Sequence, residues 1–167
     1  MNTDFPAGKA SSSPVACLIC PLVNGAQRAI ALVERWLTPS FALAIRFYVA
    51  SVFFKSGLTK IQDWNSTLAL FQYEYQVPVL SPELAAVLGT AGELGLPVLL
   101  AFGLAGRFGA AGLSVMNVVA VLSYADLSDL GRQDHLLWGA LLLVILLYGP
   151  GRWSVDRYLL RRWVATS

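Results

Sequence analysis

The chain has 167 residues, 56% of them apolar and only 13% charged, with a formal net charge of +2 and a mean hydropathy of +0.61. Soluble domains carry about 25% charged residues, so this composition suits lipid as the main solvent and excludes an ordinary water-soluble globule. No basic cluster interleaved with aromatics tracks a phosphate backbone, which argues against a nucleic-acid partner.

Residues 1–21 read as a polar, Pro- and Ser-containing tail, expected to be disordered. Its apolar patch is too short and too interrupted for a cleaved signal peptide, so the tail is expected to be retained. It holds the only two cysteines, Cys17 and Cys20. A C-x-x-C spacing serves redox or metal-thiolate chemistry in some folds, but this one is followed by Pro21 and precedes no βαβ unit. In residues 22–37 the apolar positions Leu22, Ala26, Ala29, Ile30, Val33 and Leu37 keep helical spacing. That predicts a cytoplasmic amphipathic helix lying in the headgroup layer, ended by Thr38-Pro39-Ser40.

Residues 38–150 hold four apolar runs, about 41–58, 82–104, 108–124 and 135–148, each near the length a helix needs to cross ~30 Å of hydrocarbon. The fold class that follows is all-α, a four-helix transmembrane bundle with interfacial amphipathic helices. Between the first two runs, Trp64, Leu68, Phe71 and Tyr75 make one helical stripe, with Asp63 placed to cap it. An interfacial helix is the expected outcome, and a lid over the bundle is the alternative. Small residues in the second and third runs (Gly89, Gly92, Gly95, Gly109, Gly112) predict a close antiparallel pair, with Pro97 a point of bending. Residues 151–167 form a basic-aromatic tail with Arg152, Arg157, Arg161 and Arg162, read as anchors facing anionic lipid. Lys9, Arg28, Arg35, Arg107 and those four arginines fall on one side of the spans, against Lys60 and Arg132 on the other. Both termini are therefore expected in the cytoplasm.

Charges inside such runs are costly and mark functional candidates. Span geometry puts Arg46 at ~8 Å depth from one face and Glu93 at ~16 Å from the other. On that bookkeeping the two are expected to pair, either to fix helix rotation or to set the chemistry of Glu93. Lys60 returns to the Arg46 face, whereas Lys55 points the opposite way. Asn117 is read as an interhelical hydrogen bond or a ligand contact. The loop Asp126-x-x-Asp129-x-x-Arg132-x-Asp134-His135 gathers carboxylates and the only histidine. It lacks a recognised ligand spacing, so Cys17, Cys20 and His135 are weak metal candidates, and Asp134 is expected to cap the fourth span.

The order Arg46-x7-Phe54-Lys55-Ser56-Gly57-Leu58-x-Lys60-Ile61-x-Asp63-Trp64, then Pro78, then Glu93-Leu94-x3-Val98-Leu99-Leu100-x2-Gly103-Leu104-x2-Arg107, resembles the DoxX family of small four-span bacterial membrane proteins. The resemblance covers about residues 45–148. It implies a bundle in the bacterial cytoplasmic (inner) membrane and a family named after a subunit of a thiosulfate:quinone oxidoreductase. Other members are associated with membrane oxidoreductase complexes and with thiol or oxidative-stress defence. Arg46, Lys60, Glu93 and Arg107 carry over as pattern positions without assigned catalytic roles. The expected function is a membrane subunit or anchor of a redox complex, with lipid, an oxidoreductase partner and quinone as contacts and room for a homo-oligomer. The alternative is a non-enzymatic scaffold, assembly factor, or small-solute or metal-handling protein.

Overall fold

The computed structural model describes residues 14–75 and 77–166, with side chains for 23–75 and 77–162. It is all-helical: α1 (Pro14–Gln62), α2 (Trp64–Tyr73), α3 (Pro82–Phe102), α4 (Gly106–Ser123), α5 (Asp129–Tyr148) and α6 (Val155–Thr166). Among the described residues four helices are long and apolar enough to cross a membrane: residues 23–62 of α1, α3, α4 and α5. The chain divides into two compact units, Met1–Thr38 and Pro39–Ser167. In the first, the described side chains from Val23 to Thr38 are all exposed, including Ile30, Leu32, Val33 and Leu37. All packing described below lies in the second.

Several boundaries differ from the sequence reading. Helix α1 begins at Pro14 and runs through Thr38-Pro39-Ser40 instead of stopping there. Pro39 removes one amide, the donor to the Arg35 carbonyl, and the helix continues past it. The segment expected as a tail after residue 151 is helical from Val155.

Each of the shorter helices starts where its chemistry allows. Asp63 accepts from the Ser66 amide at 3.0 Å and caps α2. Ser81 caps α3 ahead of Pro82, which occupies the first-turn position where its missing N–H costs nothing. Ser128 accepts from the Gly131 amide at 3.1 Å, so α5 begins at Asp129, six residues before the apolar run. Asp134 therefore sits inside the helix and is not its cap. Helix α3 ends on Gly103, whose φ of +65° is open to glycine at little cost, with the Gly103 and Leu104 amides returned to Leu100 and Leu99.

The core joins Ile45, Val49, Ala50 and Phe53 of α1 to Leu100 of α3, Ala110 and Leu113 of α4, and Leu142 and Ile145 of α5. Gly109 lets α4 approach the α3 backbone: a Cβ there would lie 3.2 Å from both the Leu96 oxygen and the Leu100 nitrogen. The small-residue pairing expected of the second and third spans is thus a backbone-to-backbone contact. Gly57 does the same for α1 against Glu93 and Leu94 of α3. Helix α3 stays continuous through Pro97, which is buried and leaves the Glu93 carbonyl without its helical donor. A second cluster sets Phe71 of α2 on Ala85 and Ala86 of α3. Phe71 is buried, Leu68 and Tyr75 pack against the same cluster, and Trp64 is exposed. The aromatic stripe thus divides, one part lying over α3 as a lid and the rest facing outward.

The α2 cap carries a pH dependence. The Ser66 hydroxyl and backbone hydrogen bonds hold the Asp63 carboxyl below its ordinary value. A depressed folded-state pKa means the cap's contribution is complete above the unfolded value, near pH 4, and is lost as pH falls through the folded one. Hydrogen-exchange protection of the Ser66 and Thr67 amides is expected to drop below pH 4 in the native chain. In Asp63→Asn, which can still accept, it should stay flat, and an equal drop in both would reject the assignment.

Candidate functional site

The bundle has two ends. One carries α2 and the α4–α5 loop; the other carries the ends of α3 and α5, the start of α4 and the segment from Gly149 on. Polar groups inside it gather at three places.

At the α2 end, Lys60 Nζ donates to both carboxylate oxygens of Glu93, at 2.7 and 2.9 Å, and to Ser56 Oγ at 2.9 Å. The two side chains are only 12% and 15% exposed. All three ammonium protons therefore have acceptors. Thr67 of α2 donates its hydroxyl to the Lys60 carbonyl at 2.9 Å, tying the α2 lid to the end of α1. Beside the pair, Phe71, Tyr75 and Tyr124 stack in sequence with centroids 5.1 and 5.2 Å apart, and Tyr75 and Tyr124 also form an isolated antiparallel bridge. Burial, then the negative charge of Glu93, pushes the Tyr75 hydroxyl pKa up, while Glu74 does so for Tyr124. Both phenols therefore stay protonated at neutral pH.

The expected Arg46–Glu93 pair does not form. Gly57 of α1 lies level with Glu93, and Arg46 lies level with Gly103, eleven residues and about 16 Å along α1 from Gly57. Arg46 instead donates from Nη2 to the Trp153 carbonyl at 2.6 Å, at the opposite end of the bundle. It is 1% exposed and packs against Gly103. Among the described residues its Nε and Nη1 have no hydrogen-bond partner. Its charge lies beside the carbonyl end of α3, where a cation is favoured.

The third place is Asn117 of α4. It donates to the His135 carbonyl at 2.9 Å, and its side-chain oxygen lies 2.8 Å from His135 Nδ1. Trp138 meets the imidazole edge-on at 4.9 Å. His135 is thus turned into the α4–α5 contact. Among the described residues no group of three or more His, Cys, Asp or Glu side chains converges on a cation site. The side chains of Cys17 and Cys20 lie outside the described residues.

Arg107 donates from Nη2 to the Leu147 carbonyl at 3.3 Å, capping the end of α5 from the start of α4. Lys55 is exposed on the face away from Lys60, as its helical angle required. Two residues with no part in the sequence reading complete the Arg46 end. Asp156 accepts from the Ala105 and Gly106 amides at 2.7 and 2.9 Å, supplying from fifty residues away the cap that Ala105 lacks. Ser154 donates to the Gly151 carbonyl at 3.0 Å and starts α6. Asp156 was visible as the single acid among the C-terminal arginines, a signal that named no partner.

The profile of the DoxX family matches residues 41–125. An uncharacterized protein of Haemophilus influenzae is 32% identical over 123 residues, covering 68% of this chain and 80% of the relative. No solved structure matches the chain.

Proposed function

The chain belongs to the DoxX family, and from that premise we propose that it is the membrane-embedded anchor subunit of a redox complex, with the redox chemistry carried by its partner. The observation that supports this is the saturation of Lys60: its protons are placed on Glu93 and Ser56, so the pair joins α1 to α3 and offers no spare donor to a substrate. Asn117 likewise joins α4 to α5, and Arg46 joins α1 to the segment before α6 through one of its nitrogens. Toward a quinone the bundle presents the Tyr75 and Tyr124 rings beside Glu93, an aromatic surface suited to a quinone ring. The apolar outer faces, including Phe47, Phe54, Leu136, Leu143 and Leu147, contact the bilayer and leave room for a partner helix or a second copy. The distribution of Lys and Arg supports the bacterial inner membrane with both termini cytoplasmic.

The test is purification of the tagged full chain in native lipid, with mass spectrometry of co-eluting proteins and a quinone-reduction assay on the eluate. An oxidoreductase that co-elutes and keeps its quinone reduction with the Lys60→Met/Glu93→Met chain supports the anchor reading. Loss of reduction in that double variant, with the complex still assembled, places the pair in the chemistry instead. Elution alone, or with assembly factors only, sinks the redox reading in favour of a scaffold.

A further inference from the structure

The start of α4, the end of α5 and helix α6 enclose an open groove of about 1100 Å³, comparable with pockets that hold drug-sized ligands. Three arginines line it: Arg107 from α4, and Arg157 and Arg161, which stand four apart on one face of α6. Among the described residues none of the three forms an ion pair with a carboxylate. The single acid in the wall, Asp156, has both oxygens committed to the Ala105 and Gly106 amides. The groove thus sets three guanidinium charges against one carboxylate, whose oxygens are taken by backbone amides.

Its remaining wall is apolar. Phe108, Tyr148 and Leu160 line the same groove and are 67%, 84% and 65% exposed. Phe108 and Tyr148 stand at the ends of two spans of 18 and 20 residues, helices of about 27 and 30 Å, so the groove opens where the hydrocarbon core meets the headgroups. A free anion has no use for aromatic and leucine walls at that level. A phospholipid uses both, its phosphate on the guanidinium forks and its first acyl carbons against the rings.

We propose that this groove is a binding site for the headgroup of an anionic phospholipid, held by Arg107, Arg157 and Arg161. The site stands apart from the redox reading, because it involves neither Lys60–Glu93 nor any oxidoreductase partner.

The experiment places the full chain in nanodiscs of phosphatidylcholine mixed equally with phosphatidylglycerol, and counts retained lipids by native mass spectrometry. Phosphatidylglycerol is expected to be retained over phosphatidylcholine by about tenfold or more, on the scale set by basic groups at an anionic surface. Arg107→Gln/Arg157→Gln/Arg161→Gln should bring the ratio to about one, with helix content by circular dichroism unchanged. Arg28→Gln/Arg35→Gln, which removes exposed basic charge elsewhere, should leave the ratio where it was. Equal retention of the two lipids, or a triple variant that keeps the preference, overturns the site. So does a preference that falls equally in both variants, since that reports net charge alone. Displacement of the retained lipid by millimolar inorganic phosphate would assign the groove to a free anion and reject the lipid.

Discussion

Replacing Glu93 with glutamine is expected to destabilise the bundle by about 2–4 kcal/mol, a little under the ~3–5 kcal/mol for a fully buried ion pair because both side chains keep some exposure. The reason is what it strands. Lys60 loses both of its carboxylate acceptors, at 2.7 and 2.9 Å, and keeps Ser56 and one weaker amide acceptor in a setting only 12% exposed. Lys60→Gln should cost a similar amount by stranding the carboxylate. The two costs should not add. Lys60→Met/Glu93→Met removes both charges and fills their volume with apolar atoms, and such replacements are often neutral or stabilising. The double variant should therefore be more stable than either single one by about 2 kcal/mol or more, a rescue that independent positions do not show. Lys55→Met supplies the control, because Lys55 stands exposed on the other face. Reversible unfolding of the four variants in one detergent measures all of this. A Glu93→Gln chain within about 0.5 kcal/mol of the parent would mean that the pair does not hold α1 to α3. Glu93 would then be free to act on a ligand, and the anchor reading would lose its main support.

The spans were legible because hydropathy reports the solvent directly, and α3 and α4 fall within a few residues of the runs read from sequence. Boundaries set by polar residues were harder. Helix α5 takes its first six residues from the Ser128 cap, and those residues look like loop because three of them are Asp129, Arg132 and Asp134. Glu93 was visible as a charge inside an apolar run and Lys60 as one just beyond the first run on the Arg46 face, but their partnership was not. The depth estimate aligned the span ends as if they were level. The close approach at Gly57 sets a different register, with Gly57 opposite Glu93 and Arg46 opposite Gly103. That slip of about two helical turns moves Glu93 out of reach of Arg46 and into reach of Lys60. Composition carries no record of register; it is decided by which small residues meet a backbone. The Arg46 partner was less legible still, because a backbone carbonyl has no residue-type signature. Asn117 was readable as an interhelical contact because an amide in a span has few other ways to be satisfied.

Gly103→Ala is expected to be more damaging than removing the Arg46 charge, and that ordering separates a structural arginine from a functional one. A Cβ at residue 103 would overlap Arg46 Nη1 and stand 2.6 Å from the Ser154 Cβ and 3.2 Å from its Cα, on a residue whose φ of +65° already disfavours alanine. The conformation alone costs about 1–2 kcal/mol. The overlap must then be relieved by moving Arg46, which gives up the Trp153 carbonyl, or by moving Ser154, which starts α6. Either shift disturbs Asp156, whose amide donates to the Gly103 carbonyl at 3.0 Å and whose carboxylate caps α4. Because these hydrogen bonds fail together, the total should reach about 3–5 kcal/mol. Trypsin cleavage at Arg157 and Arg161 should accelerate as the C-terminal segment is released. Arg46→Met loses one hydrogen bond and relieves a buried charge with two unpartnered nitrogens, so its cost should stay near 1–2 kcal/mol. The double variant Gly103→Ala/Arg46→Met should recover only part of the Gly103→Ala loss, since the Ser154 overlap persists. If Arg46→Met proves the worse of the two while the bundle still folds, holding the Trp153 carbonyl cannot be what Arg46 is for. A cation kept 1% exposed would then have to be retained for its charge.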